Sequence, residues 1–169
     1  MNVFTNQEKH TFEAEVMRCF GFMVDQFGMN QGKVRVSGGN DPRDSVLVVR
    51  YSRDDLKIDI GWKENETALI ITVRFDRFGL SRQERHVYFE PFAEFQSDGE
   101  VKAVVPFLTE SMGIKRIESV MAERKELFQQ GLHEVIGAIG QKLKTHFGML
   151  ESASPDAIRR YHTWMKMKR

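Results

Sequence analysis

Residues 46–75 show the clearest alternation of apolar and polar positions in the chain, and it predicts three consecutive strands. In the middle strand, an apolar set alternates with polar or small residues, so the two sets face opposite sides of a sheet. That apolar set is Leu56, Ile58, Ile60 and Trp62, and the next strand repeats it with Leu69, Ile71, Val73 and Phe75. The connections at 52–55 and 63–66 suit hairpins, whereas parallel strands need crossovers of about a dozen residues. We therefore predict an antiparallel sheet with one apolar face that must be covered.

A helix and a short strand are predicted before this meander. Thr5 followed by Glu8 is the pattern of a capping box, which marks a helix start. We predict that the helix ends at Gly21 and that an edge strand follows. In an alternative interpretation the helix continues to Gly28, because the apolar period continues that far. Residues 33–37 are predicted to form a second short strand.

After the meander, the pattern first predicts one more strand and then turns helical. Residues 86–92 alternate like a strand, and Pro91 limits it to an edge or an ending. Residues 101–111 are compatible with a short helix. From residue 114 to 147, apolar residues recur at three- and four-residue steps, which predicts a long helix.

The length of that helix suggests a bend. Residues 114–147 as one straight helix would span ~50 Å at ~1.5 Å per residue, which exceeds the ~40 Å diameter of a domain of this size. The helix therefore projects or bends, and Gly131 is the predicted bend. We predict that Gly148 ends it and that Ser154 and Pro155, as N-cap and first helical residue, begin a short terminal helix.

These elements predict an α+β fold: an N-terminal helix, an antiparallel meander of about five to six strands, a long helix packed on one face, and a short terminal helix. Residues 1–150 are assigned to a single domain and 151–169 to a helical extension. The 169 residues carry a net charge of +1, which gives no general attraction for polyanions. The single cysteine excludes an internal disulfide framework. Without a signal peptide or membrane-span pattern, we expect a cytoplasmic protein. No metal site and no cofactor are predicted.

The loop 76–86 is the strongest candidate for a small-ligand site. Arg77, Arg82, Arg85 and His86 lie within it and could converge on an anionic ligand, either in a small-molecule binding site or in an enzyme active site. The alternative is a solvated loop whose charges pair with one another.

The terminal helix is a candidate for nucleic-acid binding, because its basic residues are interleaved with Tyr161 and Trp164. The basic residues are Arg159, Arg160, Lys166 and Lys168. The alternative, which we favour, is a helix that docks its aromatic side chains and leaves its charges in water.

A third set of residues is a candidate for contact with a protein partner. The segment 41–100 has thirteen acidic and nine basic residues, so the chain has poles of opposite charge. Asp54 and Asp55 lie in a turn of this acidic segment. Trp62 is expected near Tyr51 at one end of the sheet, and if exposed it would be a typical interface anchor. Its position in the alternation, however, places it with the apolar residues and favours a place in the core.

Several stretches together resemble a known group of proteins. A helix ending in Phe20-Gly21-Phe22, the meander VLVVRYS…LKIDIGW…ALIITVRF and a helix with LHEVIGAIGQKLKTHFG are similar to small bacterial immunity-type proteins of polymorphic toxin systems and related α+β families. The resemblance covers about residues 10–148. It implies an N-terminal helix, a curved antiparallel sheet and C-terminal helices. It also implies a protein that binds and blocks a cognate toxin, through a surface that differs between members. We expect a monomer or homodimer.

Overall fold

The meander of residues 46–75 forms the centre of an antiparallel sheet. The computed structural model of the protein describes residues 4–38, 44–63, 68–77, 79–104, 112–129 and 131–168. Within these ranges the strands are β1 (Asn30–Gln31), β2 (Arg35–Ser37), β3 (Val46–Arg53), β4 (Leu56–Lys63), β5 (Ala68–Phe75) and β6 (His86–Tyr88). Strands β3 to β6 pair in sequence order, and β1 and β2 both pair with the free edge of β3. All pairs are antiparallel, as predicted.

The helices lie before and after this sheet in the chain. They are α1 (Asn6–Phe20), α2 (Phe22–Asp25), α3 (Phe89–Gln96), α4 (Ile114–Gln129), α5 (Leu132–Ser152) and α6 (Pro155–Met167). Among the described helices, none combines the length and the apolarity that crossing a bilayer requires. The observed architecture is the predicted α+β fold.

Strand register gives the sheet one face that is buried at its centre. Val49 lies opposite Ile60, which in turn lies opposite Ile71. The neighbouring row places Tyr51 opposite Ile58. All five side chains are at most 5% exposed, and burying an aliphatic side chain of this size contributes ~1.5–3 kcal/mol before entropic costs. This inward face is the base of the hydrophobic core.

Helices α1 and α5 lie over the inward face and pack closely against each other. The buried residues of α1 are Phe12, Val16 and Phe20, and those of α5 include Ile136, Ile139, Leu143 and Phe147. The tightest approach is at Gly140, where an added Cβ would stand 2.7 Å from the carbonyl oxygen of Cys19. Helix α6 buries Ile158 and Tyr161 in the same core.

The first helix begins and ends as predicted, but the element that follows it is different. The capping box is confirmed: the Glu8 amide donates to Thr5 Oγ1 at 3.1 Å, and the Thr5 amide donates to Glu8 Oε2 at 2.6 Å. Gly21, however, has helical φ of −57°, and α2 follows directly, so the edge strand predicted after Gly21 is wrong. The reason is that Met23 is fully buried in helical phase with α1. In this segment the chain adopts a left-handed conformation only at Gly28, with φ of 63°, after α2 has ended at Asp25. The predicted strand at 33–37 forms only as β2.

The strand predicted at 86–92 is also shorter than expected. It ends at Tyr88, and Phe89 begins α3. Pro91 lies in the first turn of this helix. A backbone N–H there would have no intrahelical acceptor, so its absence in proline costs no hydrogen bond. Of the predicted helix 101–111, residues 105–111 lie outside the described ranges, and residues 101–104 are not helical.

The bend at Gly131 is confirmed, because α4 and α5 are separate helices joined through this residue, whose φ is 128°. The end predicted at Gly148 is wrong. Helix α5 continues to Ser152, since Leu150 extends the buried stripe by another turn. The start of α6 is confirmed: Ser154 Oγ accepts from the Ala157 amide at 3.1 Å, and Pro155 is the first helical residue.

The contact between α1 and α5 predicts that replacing two glycines of α5 by alanine has opposite effects on stability. Gly140→Ala should lower the free energy of unfolding by about 1–2 kcal/mol, because its Cβ would overlap backbone atoms of α1. Gly137→Ala is the matched control. Its Cβ would meet nothing within 4 Å, so the better helix propensity of alanine should raise stability by about 0.5–1 kcal/mol. Urea denaturation measures both. A neutral or stabilising Gly140→Ala would contradict this packing.

Candidate functional site

The side chains that alternate with the core residues on the strands form the second face of the sheet, which we call the open face. Unlike the core residues they are partly exposed, except for Val48 and Gly61. The open face consists of Arg35, Val46, Val48, Arg50, Lys57, Asp59, Gly61, Lys63, Ile70, Thr72, Arg74, His86 and Tyr88.

A cross-strand ion pair lies at the centre of the open face. Arg50 on β3 stands directly opposite Asp59 on β4. Its Nε and Nη2 donate to the two carboxylate oxygens, both at 2.7 Å. Arg35 of β2 approaches the same carboxylate at 3.6 Å. The hydrogen bonds to Asp59 raise the pKa of Arg50, and this two-point contact fixes the orientation of the guanidinium relative to the carboxylate.

A second group of charges surrounds Asp76, just after β5. Arg74 donates two hydrogen bonds to this carboxylate, at 2.8 and 2.7 Å. Lys57 lies 3.3 Å and Arg85 3.8 Å from the same group. The Arg74 hydrogen bonds, followed by those from Lys57, lower the pKa of Asp76 to about 2. One carboxylate therefore organises three cations along the edge of the open face.

Apolar groups lie between and beside the charged ones. Val48, Gly61 and Ile70 form one row across β3, β4 and β5. Gly61 is itself buried, and a Cβ added there would stand 3.2 Å from Val46 Cγ1, so its neighbours cover the backbone of β4 at this point. Beside this row, Tyr88 is 53% exposed, next to Thr72 on the neighbouring strand. The pKa of His86 is lowered, mainly by partial desolvation and then by Arg74, which favours its neutral form.

This mixture of groups is suited to binding a macromolecular surface. Arginine and tyrosine are the residues most enriched at protein interfaces, where they supply large contact area and directed hydrogen bonds. The guanidinium groups of Arg50 and Arg74 are already oriented by aspartates, so they lose little conformational freedom on binding.

The structure divides the residues of the predicted loop site between two locations. Arg85 and His86 lie at the open face, next to Asp76 and Arg74 respectively. Arg77 instead points to the C-terminus of α5. It donates to the carbonyl oxygens of Leu150 at 3.1 Å, Glu151 at 2.9 Å and also Ala153, and to the Asp55 carboxylate at 2.9 Å. Arg82 is exposed. These four residues do not converge on one point.

The terminal helix contacts that same loop. Arg159 lies 3.4 Å from Glu84 and donates to the carbonyl oxygen of Gly79. The His162 ring nitrogen Nε2 lies 3.0 Å from the Glu84 carbonyl oxygen. Arg159, one of the predicted nucleic-acid candidates, is thus engaged within the chain.

The other basic residues in and just after α6 do not form a continuous basic surface with Arg159. Arg160 pairs with Asp156 one turn earlier, at 3.4 Å. Lys168 pairs with Glu94 at 3.0 Å. Lys166 is exposed.

The candidates for partner contact also lie apart from each other. Asp54 and Asp55 form the β3–β4 turn, with Asp54 at a φ of 46°. Trp62 is half-buried at the other end of the same ladder, opposite Leu47. The expectation that Tyr51 lies near Trp62 is wrong, because Tyr51 pairs with Ile58 at the turn end.

Sequence reasoning missed the open face as a site. The signal was present, because the polar positions of the meander include oppositely charged residues in register, such as Arg50 and Asp59. Only the pairing shows that they meet. Within the described ranges, no three histidine, cysteine, aspartate or glutamate side chains come together as a metal site. No family model, curated protein or solved structure gives a significant match to the chain.

The position of Arg77 predicts a structural effect for its removal. Arg77→Ala should lower the free energy of unfolding by about 2–3 kcal/mol, because several carbonyl groups at the end of α5 lose a buried donor. Arg77→Lys should recover little of this, since an ammonium cannot reproduce the guanidinium fork. The matched control, Arg82→Ala, should stay within about 0.5 kcal/mol of the wild type. Equal stability of the two alanine variants in urea would contradict the assignment.

The cations around Asp76 predict a pH-dependent contribution to stability. Because the folded pKa of about 2 lies below the ordinary value of 3.8, the carboxylate stabilises the fold above the unfolded pKa, and this contribution disappears as the pH falls toward 2. Asp76→Asn should cost about 1 kcal/mol at pH 7, after allowance for solvent screening. The difference from wild type should shrink as the pH falls from about 4 and be lost once it falls below about 2. Denaturation across this range measures it, with Asp25→Asn as control. A pH-independent difference would contradict the electrostatic cause.

Proposed function

We propose that this chain is a non-enzymatic protein-binding module of the immunity type, which binds a cognate toxin in the cytoplasm through the open face and blocks it. The observation that carries the proposal is the open face itself. It presents oriented arginines and an exposed aromatic ring at Tyr88. The resemblance of residues 10–148 to immunity-type proteins supports the same interpretation.

The charges of the open face indicate the kind of surface that it would bind. Basic side chains outnumber acidic ones: Arg35, Arg50, Lys57, Lys63 and Arg74 face Asp59, with Asp44 and Asp76 at the strand ends. A partner surface with exposed carboxylates and an apolar contact for Tyr88 would complement it.

Nucleic acid is the alternative partner for a basic surface. The structure disfavours it on one specific point: the guanidinium groups of Arg50 and Arg74 already donate to Asp59 and Asp76 through two hydrogen bonds each. A protein surface can instead contact the tyrosine and the outer edges of the paired arginines.

Expression beside the protein encoded by the adjacent reading frame tests this function. We expect the chain to relieve that protein's toxicity and to form a complex with it. Tyr88→Ala should weaken the complex at least about tenfold, because exposed tyrosines at interface centres are typical hot spots. Calorimetry or surface binding measures the change.

Met17→Ala is the matched control, since Met17 is also 53% exposed but lies on α1. It should leave affinity and protection unchanged. Absence of protection and of a complex would refute the proposal. Salt-sensitive binding of single-stranded DNA that is lost in an Arg35→Ala variant would favour nucleic acid instead.

A further inference from the structure

A second surface feature, the α3–α6 groove, lies on the helical layer rather than on the open face. It has a volume of about 510 Å³ and opens between the end of α3 and the last turn of α6. Its lining includes Glu94, Phe95, Asp98, Trp164 and Lys168. Aromatic rings and carboxylates thus share one concave surface.

The rings of this groove form an aromatic wall. Phe95 and Trp164 lie with centroids 5.6 Å apart, and Trp164 is half-buried, so part of its indole faces the groove. The face of an indole ring carries negative electrostatic potential, and it attracts a cation within about 6 Å.

A cation already occupies this position. The Lys168 ammonium lies 4.3 Å from the centroid of a Trp164 ring and 3.0 Å from Glu94 Oε1. The Glu94 side chain is only 16% exposed, whereas that of Lys168 is 33% exposed. The carboxylate and ring are thus a built part of the helical layer, and the lysine is the more accessible member at the end of α6.

The charges support a cationic occupant. Glu94 and Asp98 both line the groove. The Lys102 ammonium lies beside Gly99 on the rim and adds one positive charge there, which the two carboxylates outweigh once Lys168 has left.

We propose that the α3–α6 groove binds a lysine side chain presented by a protein partner, and that Lys168 is the internal occupant which the incoming lysine displaces. The contact seen with Lys168 defines the recognition: the ammonium stands over the indole of Trp164 and pairs with Glu94. The proposal does not depend on the function of the open face.

The test uses the full chain and the peptide acetyl-Gly-Lys-Gly-amide, followed through the indole N–H resonance of Trp164. Wild type should bind weakly, and Lys168→Gln should bind at least about tenfold more tightly, because apparent affinity scales with the fraction of molecules whose site is open. The matched control Lys166→Gln, an exposed lysine of the same helix, should behave as the wild type.

Two further comparisons test whether the groove recognises the lysine ammonium. The same peptide with norleucine in place of lysine should not bind to the Lys168→Gln protein. This comparison changes only the peptide, so it does not depend on the folding of another protein variant. Glu94→Gln in the Lys168→Gln background should abolish lysine binding. Equal binding of the norleucine peptide, or unchanged affinity on removal of Lys168, would overturn the proposal.

Discussion

The burial of one face of the β3–β5 meander is the constraint on which the rest of the structure depends. A period of two places Val49, Ile60 and Ile71 on the same side, and a single-residue slip in register would move this whole set into water. Helices α1 and α5 must therefore lie on that side. The close contact at Gly140 lets them do so without leaving the apolar stripe of either helix uncovered.

The same constraint determines what remains on the other side of the sheet. Every residue between two core positions points away from the helices. The charged residues of an alternating strand therefore all lie on the open face. In this chain those residues pair across strands, as Arg50 does with Asp59. The result is a rigid surface whose guanidinium groups are oriented before any partner arrives. The proposed function and the structural requirement thus come from the same alternation.

Much of the fold could be predicted from local patterns, because those patterns are set by local physics. The capping box at Thr5, the break at Gly131 and the start of α6 at Ser154 each depend on a few neighbouring residues. The errors occur where tertiary burial decides. Met23 and Leu150 are both buried in the core. Burial of Met23 favours a second helix after Gly21 instead of a strand, and burial of Leu150 extends α5 past Gly148. The candidate site was harder still. The roles of Arg77, which caps α5, and of Asp76, which gathers three cations, depend on contacts that no sequence spacing shows.

Solvent accessibility of neighbouring isoleucines on β5 tests the two-sided sheet most directly. Ile70 and Ile71 are consecutive, and only Ile71, at 5% exposure, belongs to the buried face. In methyl-labelled protein with a soluble gadolinium complex, we predict strong relaxation of the Ile70 methyl groups and little relaxation of those of Ile71 and Ile58. Equal protection of Ile70 and Ile71 would show that both faces are covered, and it would contradict the existence of the open face.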